Sequence, residues 1–374
     1  MSKRTNTAVW MENQQRWQIK VQKRGERRTF YSSAPGRKGQ REANTKADRW
    51  LDDGINGNIK VARLFPAFLE DQKARNGTGS YVNNESIGRN WILPTVGRRY
   101  IYDLTVQDLQ NILNKANKKG LANKTLCNIR GTITAFLRFA RKSNTTTLYP
   151  DDLVIPRGAP KGKRKVLQEN HINILFTSSK TTHQGIECAD WYINAYRFLA
   201  AVGLRPGELC ELQRRQQSDK KNVTVHGSYN KFKEHTTGKN DNANRTFILF
   251  PLAEGILKDQ ELMLKKAGIV SPYLFPDLDG KQATSRRLYK RWQRYQTVNG
   301  FTKDEHISLY ELRHTFVSLC KKKIPEALIK PFIGHSTKMP SYDTYGHQMK
   351  GEMELVANML EEIYTDILQK EAKK

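Results

Sequence analysis

Gly203-Leu204-Arg205-Pro206-Gly207-Glu208-Leu209 is followed along the chain by Thr237-Gly238-Lys239, with Arg245 six residues on. Tyr310-Glu311-Leu312-Arg313-His314-Thr315-Phe316 comes next, then Gly334-His335, with Asp343-Thr344-Tyr345-Gly346-His347 just beyond. Each segment alone has an ordinary explanation: glycine-flanked arginines are common, a lysine in a hairpin is usually solvated, and a tyrosine near a histidine is usually packing. Together they supply guanidiniums suited to gripping an anionic phosphate and a phenol suited to attacking it.

Composition points the same way. The 374 residues suit two or three domains and a substantial core. Lys and Arg number 64 against 37 Asp and Glu, a net charge of +27 spread along the chain, and such a surface attracts polyanions. Charge alone does not separate DNA from RNA or an acidic membrane. No apolar run approaches the length of a membrane span, and the N-terminus has no signal-peptide pattern, so the expected place is the cytoplasm. Cys127, Cys188, Cys210 and Cys320 are far apart and form no CxxC pair, which argues against a disulfide scaffold or a structural zinc.

Outward from the motifs the chain divides. Residues 1–50 hold thirteen Lys and Arg against four Asp and Glu. Trp17, Ile19 and Val21 alternate, Gly25 marks a turn, and Thr29, Phe30 and Tyr31 resume an extended segment. After Pro35-Gly36, the residues Ala43, Ala47, Trp50 and Leu51 recur at helical spacing. A small sheet-and-helix module is expected, against the alternative of a disordered basic arm.

From Asn58 to Lys142 the period is helical. Val61, Leu64, Phe65 and Phe68 form one stripe, and Val106, Leu109, Ile112, Leu113 and Ala116 another, opened by a Thr105–Asp108 capping box. Leu126, Ile129, Ile133, Phe136, Leu137 and Ala140 form a third. Between Ser143 and Arg164 periodicity is lost, and prolines, glycines and the cluster Lys161, Lys163, Arg164 and Lys165 give a linker signature. Beyond Val166 helical segments alternate with an extended patch at Asn222–Val225 and a partner at Arg245–Leu249.

In this order and at these distances the quoted segments resemble the tyrosine recombinase, or phage integrase, family, whose catalytic set is Arg, Lys, His-x-x-Arg, a His or Trp, and a nucleophilic Tyr. The resemblance covers Val166 to Lys350. It implies a mostly helical α+β protein: an arm-type DNA-binding module at 1–55, a helical core-binding (SAM-like) domain at 58–150, a basic linker at 151–165, and a mixed α/β catalytic domain at 166–374. Carried over by residue, it makes Arg205 and Arg313 the arginines, with Glu208 steadying the first. Lys239 becomes the hairpin lysine, His335 the His/Trp residue and Tyr345 the nucleophile. Tyr310 departs from the pattern, standing where the family has its first histidine. With a reference pKa of about 10 a tyrosine is a poor proton shuttle near neutrality. His306 and His314 are the nearby imidazoles.

The chemistry accounts for these residue types. Attack of a phenolic oxygen on a DNA phosphodiester adds charge to a phosphate that is already anionic, and two guanidiniums stabilise it. Lys239 is the candidate acid for the 5′ oxygen, and Tyr345 would hold a 3′ phosphotyrosine that stores the cleavage energy. No cofactor is called for, and no Asp/Glu cluster of the two-metal kind is seen, so no metal is expected. Tyr342 is a competing nucleophile, less well spaced from Gly334-His335.

The implied function is site-specific integration or excision of a mobile genetic element. Alternatives are a type IB topoisomerase-like enzyme and a catalytically idle DNA-binding protein. Candidate DNA contacts are Lys20, Lys23, Arg24, Arg27 and Arg28 near the N-terminus, Lys124, Arg138 and Arg141 on the third helical stripe, and Lys163 and Arg164 in the linker. Expected partners are double-stranded DNA attachment sites and further copies of the chain in a tetramer on DNA. A directionality factor and a DNA-bending protein are possible accessories, and no membrane is involved. Leu355, Met359, Leu360, Ile363 and Ile367 form an apolar stripe on a last helix, read as a surface for a neighbouring protomer or for its own domain.

Overall fold

The computed structural model describes residues 5–23, 26–53, 59–217, 221–237, 244–334 and 351–372. The chain forms two compact units, 1–162 and 163–374.

The first unit opens with an antiparallel sheet of β1 (Val9–Met11), β2 (Arg16–Lys23) and β3 (Glu26–Ser32), in the order β1-β2-β3. Ile19 pairs with Phe30 and Lys20 with Thr29, so alternation sends Ile19, Val21 and Phe30 to one buried face and Lys20 to the other. Helix α1 (Gly36–Asp53) covers the apolar face with Ala43, Ala47, Trp50 and Leu51, the four residues whose spacing predicts it. β1 was not anticipated: three residues are too few to show a period.

The helical remainder of this unit comprises α2 (Val61–Ile87), a π-type segment at Gly88–Ile92, α3 (Leu93–Val96), α4 (Val106–Lys118) and α5 (Asn123–Lys142). The apolar stripes of α2, α4 and α5 meet in one cluster. α5 contributes Leu126, Ile129, Ile133, Phe136, Leu137 and Ala140, and all are buried. Gly88, first residue of the π-type segment, packs against Phe65 of α2; a Cβ there would lie 2.2 Å from the ring. Thr105 and Asp108 form the expected reciprocal capping box at the start of α4.

The aperiodic stretch after α5 is less loose than its composition suggests. Leu153 and Ala159 are buried in the helical cluster, the Gln110 amide exchanges two hydrogen bonds with the Val154 backbone, and Asn123 N–H donates to the Pro160 carbonyl at 2.8 Å.

The second unit contains α6 (Glu169–Thr177), a hairpin of β4 (Lys180–His183) and β5 (Ile186–Ala189), α7 (Ile193–Val202) and α8 (Pro206–Glu211). β6 (Asn222–Val225) follows, then β7 (Ser228–Tyr229), β8 (His235–Thr236) and β9 (Arg245–Ile248). Helices α9 (Pro251–Lys266), α10 (Ser285–Val298), α11 (Leu309–Cys320), α12 (Glu326–Ile333) and α13 (Glu352–Ala372) complete it. β6 pairs antiparallel with β9, as the extended patches predict, and β7 with β8. α7 is buried on all sides except at Arg197, as its continuous apolar run requires, and the other helices pack around it.

The last helix answers the question its stripe leaves open. Val356, Ala357, Leu360, Ile363, Tyr364 and Ile367 are buried in the core of their own unit, and Leu355 is exposed. The stripe packs on its own unit, where it buries its apolar surface. Among the described residues no helix is long and apolar enough to cross a membrane.

Candidate active site: an arginine cluster at a helix end

α7 stops at Gly203, whose φ of 65° closes the helix in the left-handed conformation; a Cβ there would also sit 2.3 Å from Phe316. The chain turns through buried Leu204 into α8, with Arg205 as N-cap and Pro206 in the first turn. Glu208, the third residue of α8, folds back so that its carboxylate accepts the Arg205 N–H at 2.9 Å and the Arg205 guanidinium at 2.5 Å.

The same carboxylate holds a second arginine. Arg245, at the start of β9, donates to Glu208 at 3.0 Å, and both side chains are almost fully buried. Burial alone would raise the Glu208 pKa. The charge and hydrogen bond of Arg245, followed by the bonds and charge of Arg205, outweigh it and hold the carboxyl below its ordinary value.

Arg313, on α11, is 1% exposed and sends one terminal nitrogen to the Gly203 carbonyl at 2.8 Å and the other to Ile333 at 2.7 Å. Its pKa is pushed down to about 10, first by desolvation and then by the like charge of Arg205. Arg205 and Arg245 thus pair with the Glu208 carboxylate, and Arg313, bonded to carbonyls, feels its charge; among the described residues this leaves a local excess of positive charge for an anion to neutralise.

All three also read the end of α12. Arg245 donates to Phe332, Arg313 to Ile333 and Arg205 to Gly334, three successive carbonyls. Terminal carbonyls of a helix carry partial negative charge and lack intrahelical partners, so cations collect there. His335 is the next residue in the sequence.

The structure therefore brings Arg205, Glu208 and Arg313 together. It adds Arg245, which the sequence reading quotes with the hairpin but gives no role; the available signal was a second buried-pair partner for Glu208 at a strand start. Lys239, His335, Tyr345 and Tyr342 lie outside the described residues. The base of the β7–β8 hairpin is fixed: His235 Nδ1 sits 2.8 Å from Glu211, which also accepts from Gln282 at 3.0 Å.

Tyr310 stands in the first turn of α11, 44% exposed. His306 precedes that helix, and its Nε2 lies 3.2 Å from the Phe301 carbonyl. His314 shares the helix, its ring 5.1 Å from that of Tyr310 at 73°.

The proposed DNA contacts fall into distinct settings. Lys20, Arg27, Lys124, Arg138, Lys163 and Arg164 are exposed. Arg24 and the side chain of Lys23 lie outside what is described. Arg28 is a departure: strand alternation turns it to the covered face, 7% exposed, with its guanidinium 5.3 Å from the Trp50 ring. Arg141 is half-buried, stacked 3.9 Å over Tyr149 and donating to Leu148.

Comparison with known proteins adds to this geometry. Residues 165–352 match the phage integrase family, and residues 61–117 match the phage integrase N-terminal SAM-like domain. Tyrosine recombinase XerC of Alcanivorax borkumensis is 23% identical over 240 residues, 62% of this chain and 72% of that protein. The Tn1549 transposon integrase in complex with transposon right end DNA shares the fold at a TM-score of 0.62 and 16% identity, over 80% of this chain and 99% of that one. A lambda integrase tetramer bound to a Holliday junction does so at 0.58 and 14%, over 91% and 98%.

Proposed function

The chain belongs to the phage integrase family and is a tyrosine recombinase, an enzyme that cleaves and rejoins DNA, and from that premise we propose that it integrates or excises a mobile genetic element at specific attachment sites. The observation that carries the site reading is the cluster of Arg205, Arg245 and Arg313 around the single carboxylate of Glu208. A scissile phosphate supplies the missing negative charge, and more strongly when attack adds to it.

In this reading Arg205 and Arg313 stabilise the non-bridging oxygens, while Glu208 and Arg245 set the pose of Arg205. The Tyr345 phenol attacks phosphorus, Lys239 protonates the departing 5′ oxygen, and His335 hydrogen-bonds the phosphate. The 3′ phosphotyrosine conserves bond energy until a second 5′ hydroxyl reverses the step. Tyr310 fills the space of the family histidine.

By the same reading, residues 1–55 bind arm-type DNA, 58–150 form a core-binding domain, 151–165 a basic linker and 166–374 the catalytic domain. The partners are duplex attachment sites and further copies of the chain on DNA, as in the DNA-bound lambda integrase tetramer. A directionality factor and a DNA-bending protein assist, and the reaction takes place in the cytoplasm of a bacterial host. Among the described side chains, Lys20 and Arg27 are the exposed ones of the proposed contacts in the N-terminal module.

The deciding experiment incubates the full chain with a nicked duplex carrying the junction sequence recovered after excision, then denatures the mixture. A covalent protein–DNA adduct that disappears in Tyr345→Phe supports the reading, and none with the unaltered chain would refute it. Exchange between two such sites, rather than relaxation of any supercoiled plasmid, separates recombinase from topoisomerase.

A further inference from the structure

Within the first unit, β3 and α1 face the turn that precedes α4 across a cleft of about 370 Å3. Arg28, Lys46, Trp50, Tyr102 and Asp103 are among the residues that line it. Its size is that of a small-ligand site, where volumes run from about 300 Å3 upward. We infer that this cleft binds one unpaired nucleobase, stacked on Tyr102 and held at its edge by Arg28 and Asp103.

Arg28 supplies the donor. Strand alternation leaves it 7% exposed, with Nε bonded to Glu26 at 3.2 Å. Its guanidinium carbon lies 5.3 Å from the Trp50 ring and 5.8 Å from the Tyr102 ring. Nη2 is buried and has no hydrogen-bond partner. A buried donor left unpaired destabilises a fold, and an acceptor brought by a ligand relieves it.

Tyr102 supplies the platform. It belongs to the short turn Ile101–Asp103, and Ile101 and the following Leu104 are buried in the helical core, so the backbone is held while the ring stays 41% exposed. Tyr100 stacks beside it with centroids 6.1 Å apart, and Lys60 Nζ lies 5.8 Å from the Tyr100 ring. Exposed rings set among cations are surfaces on which the bases of a single strand stack, because every base has a π face.

Asp103 decides the class of ligand. It is exposed, lines the same cleft and carries no side-chain hydrogen bond among the described residues. A phosphate dianion offers only acceptors and would be repelled. The edge of a nucleobase sets a donor beside an acceptor, the complement of a carboxylate beside an unpaired guanidinium N–H. Asp103 and Arg28 both act electrostatically on the Tyr102 phenol, so the two groups flank the ring on which the base would lie. Lys46 is already engaged, by Glu42 at 3.0 Å and the Tyr31 carbonyl at 3.1 Å. The cleft shares no residue with the arginine cluster, so its fate is independent of the Tyr345 assignment.

The test follows the fluorescence anisotropy of a labelled single-stranded tetranucleotide titrated with the full chain. Thymidine monophosphate, deoxyguanosine monophosphate and inorganic phosphate serve as competitors. Tyr102→Ala should weaken tetranucleotide binding about tenfold, the order of one lost base stack, while Tyr102→Phe should keep it. Arg28→Met should weaken it by a similar factor. Tyr102 is exposed, so Tyr102→Ala should melt with the unaltered chain and carries the test alone if Arg28→Met does not fold. Displacement by either mononucleotide supports the cleft with a free nucleotide as a sufficient ligand. A tetranucleotide that only unlabelled strand displaces, and that Tyr102→Ala weakens, supports it with a strand as the source. Affinity unchanged in Tyr102→Ala, or displacement by inorganic phosphate as effective as by the mononucleotides, overturns the proposal.

Discussion

Arg313 reaches from α11 to the carbonyl of Gly203 at 2.8 Å, so the helix bearing one arginine of the cluster is bonded to the turn that presents another. The two arginines are therefore unequal. Arg313 is a buried structural donor as well as a proposed phosphate ligand, whereas the Arg205 side chain is partly exposed. Arg205→Ala should abolish cleavage while sparing binding, and lower the melting temperature less than Arg313→Ala does, since Glu208 keeps Arg245. Arg313→Ala should abolish cleavage and also destabilise the catalytic unit by about 2–4 kcal/mol, since two buried carbonyls lose their donor. Equal melting temperatures for the two variants would contradict this division.

Among the described residues, Glu208 is the carboxylate that pairs with Arg205 and Arg245 of the cluster. Its folded pKa is depressed, so the stability it contributes is complete above the ordinary carboxyl value of 4.5 and is lost as pH falls through the lowered one. Glu208→Gln should cost about 3–5 kcal/mol at pH 7, as breaking a buried pair does. It should also remove part of the acid-induced fall in stability, which denaturant titrations at pH 7 and pH 3 would show.

Gly203→Ala should destabilise by more than about 1 kcal/mol, because the position needs a positive φ and the new methyl would meet the Phe316 ring. Since the Gly203 carbonyl is an Arg313 acceptor, cleavage should fall further than the fraction of unfolded protein accounts for. Activity normalised to folded protein, measured beside thermal melting, checks both.

Leu360→Ala should cost about 2–5 kcal/mol, since Leu360 is fully buried in the core of its own unit. Removal of residues 352–374 should accordingly unfold the catalytic unit, seen as loss of its cooperative melt, rather than yield a folded monomer that fails only to associate.

Periodic elements were legible in the sequence because their apolar residues repeat at the spacing of the face they bury: α1, α4 and α5 follow their stripes, and β6 and β9 pair as their alternation suggests. β1 and the β4–β5 hairpin were not, being three and four residues long, too short to show a period. Arg28 shows the weakness of reading charge as exposure, since strand alternation and a neighbouring tryptophan, not its chemistry, decide its face. The residues of the cluster could be named from their motifs. Their sharing of Glu208 could not, since Arg245 and Glu208 are 37 positions apart and meet only through the fold. The last helix was visible as amphipathic, yet a stripe does not say whose surface it covers.

The arginines at the end of α12 work as a ruler. Each grips a different rung, Phe332, Ile333 or Gly334, so sliding the helix by one residue would mismatch all three together. The end of α12 is thereby indexed to the arginine cluster. A one-residue slip of α12 is therefore opposed at three bonds at once rather than at one.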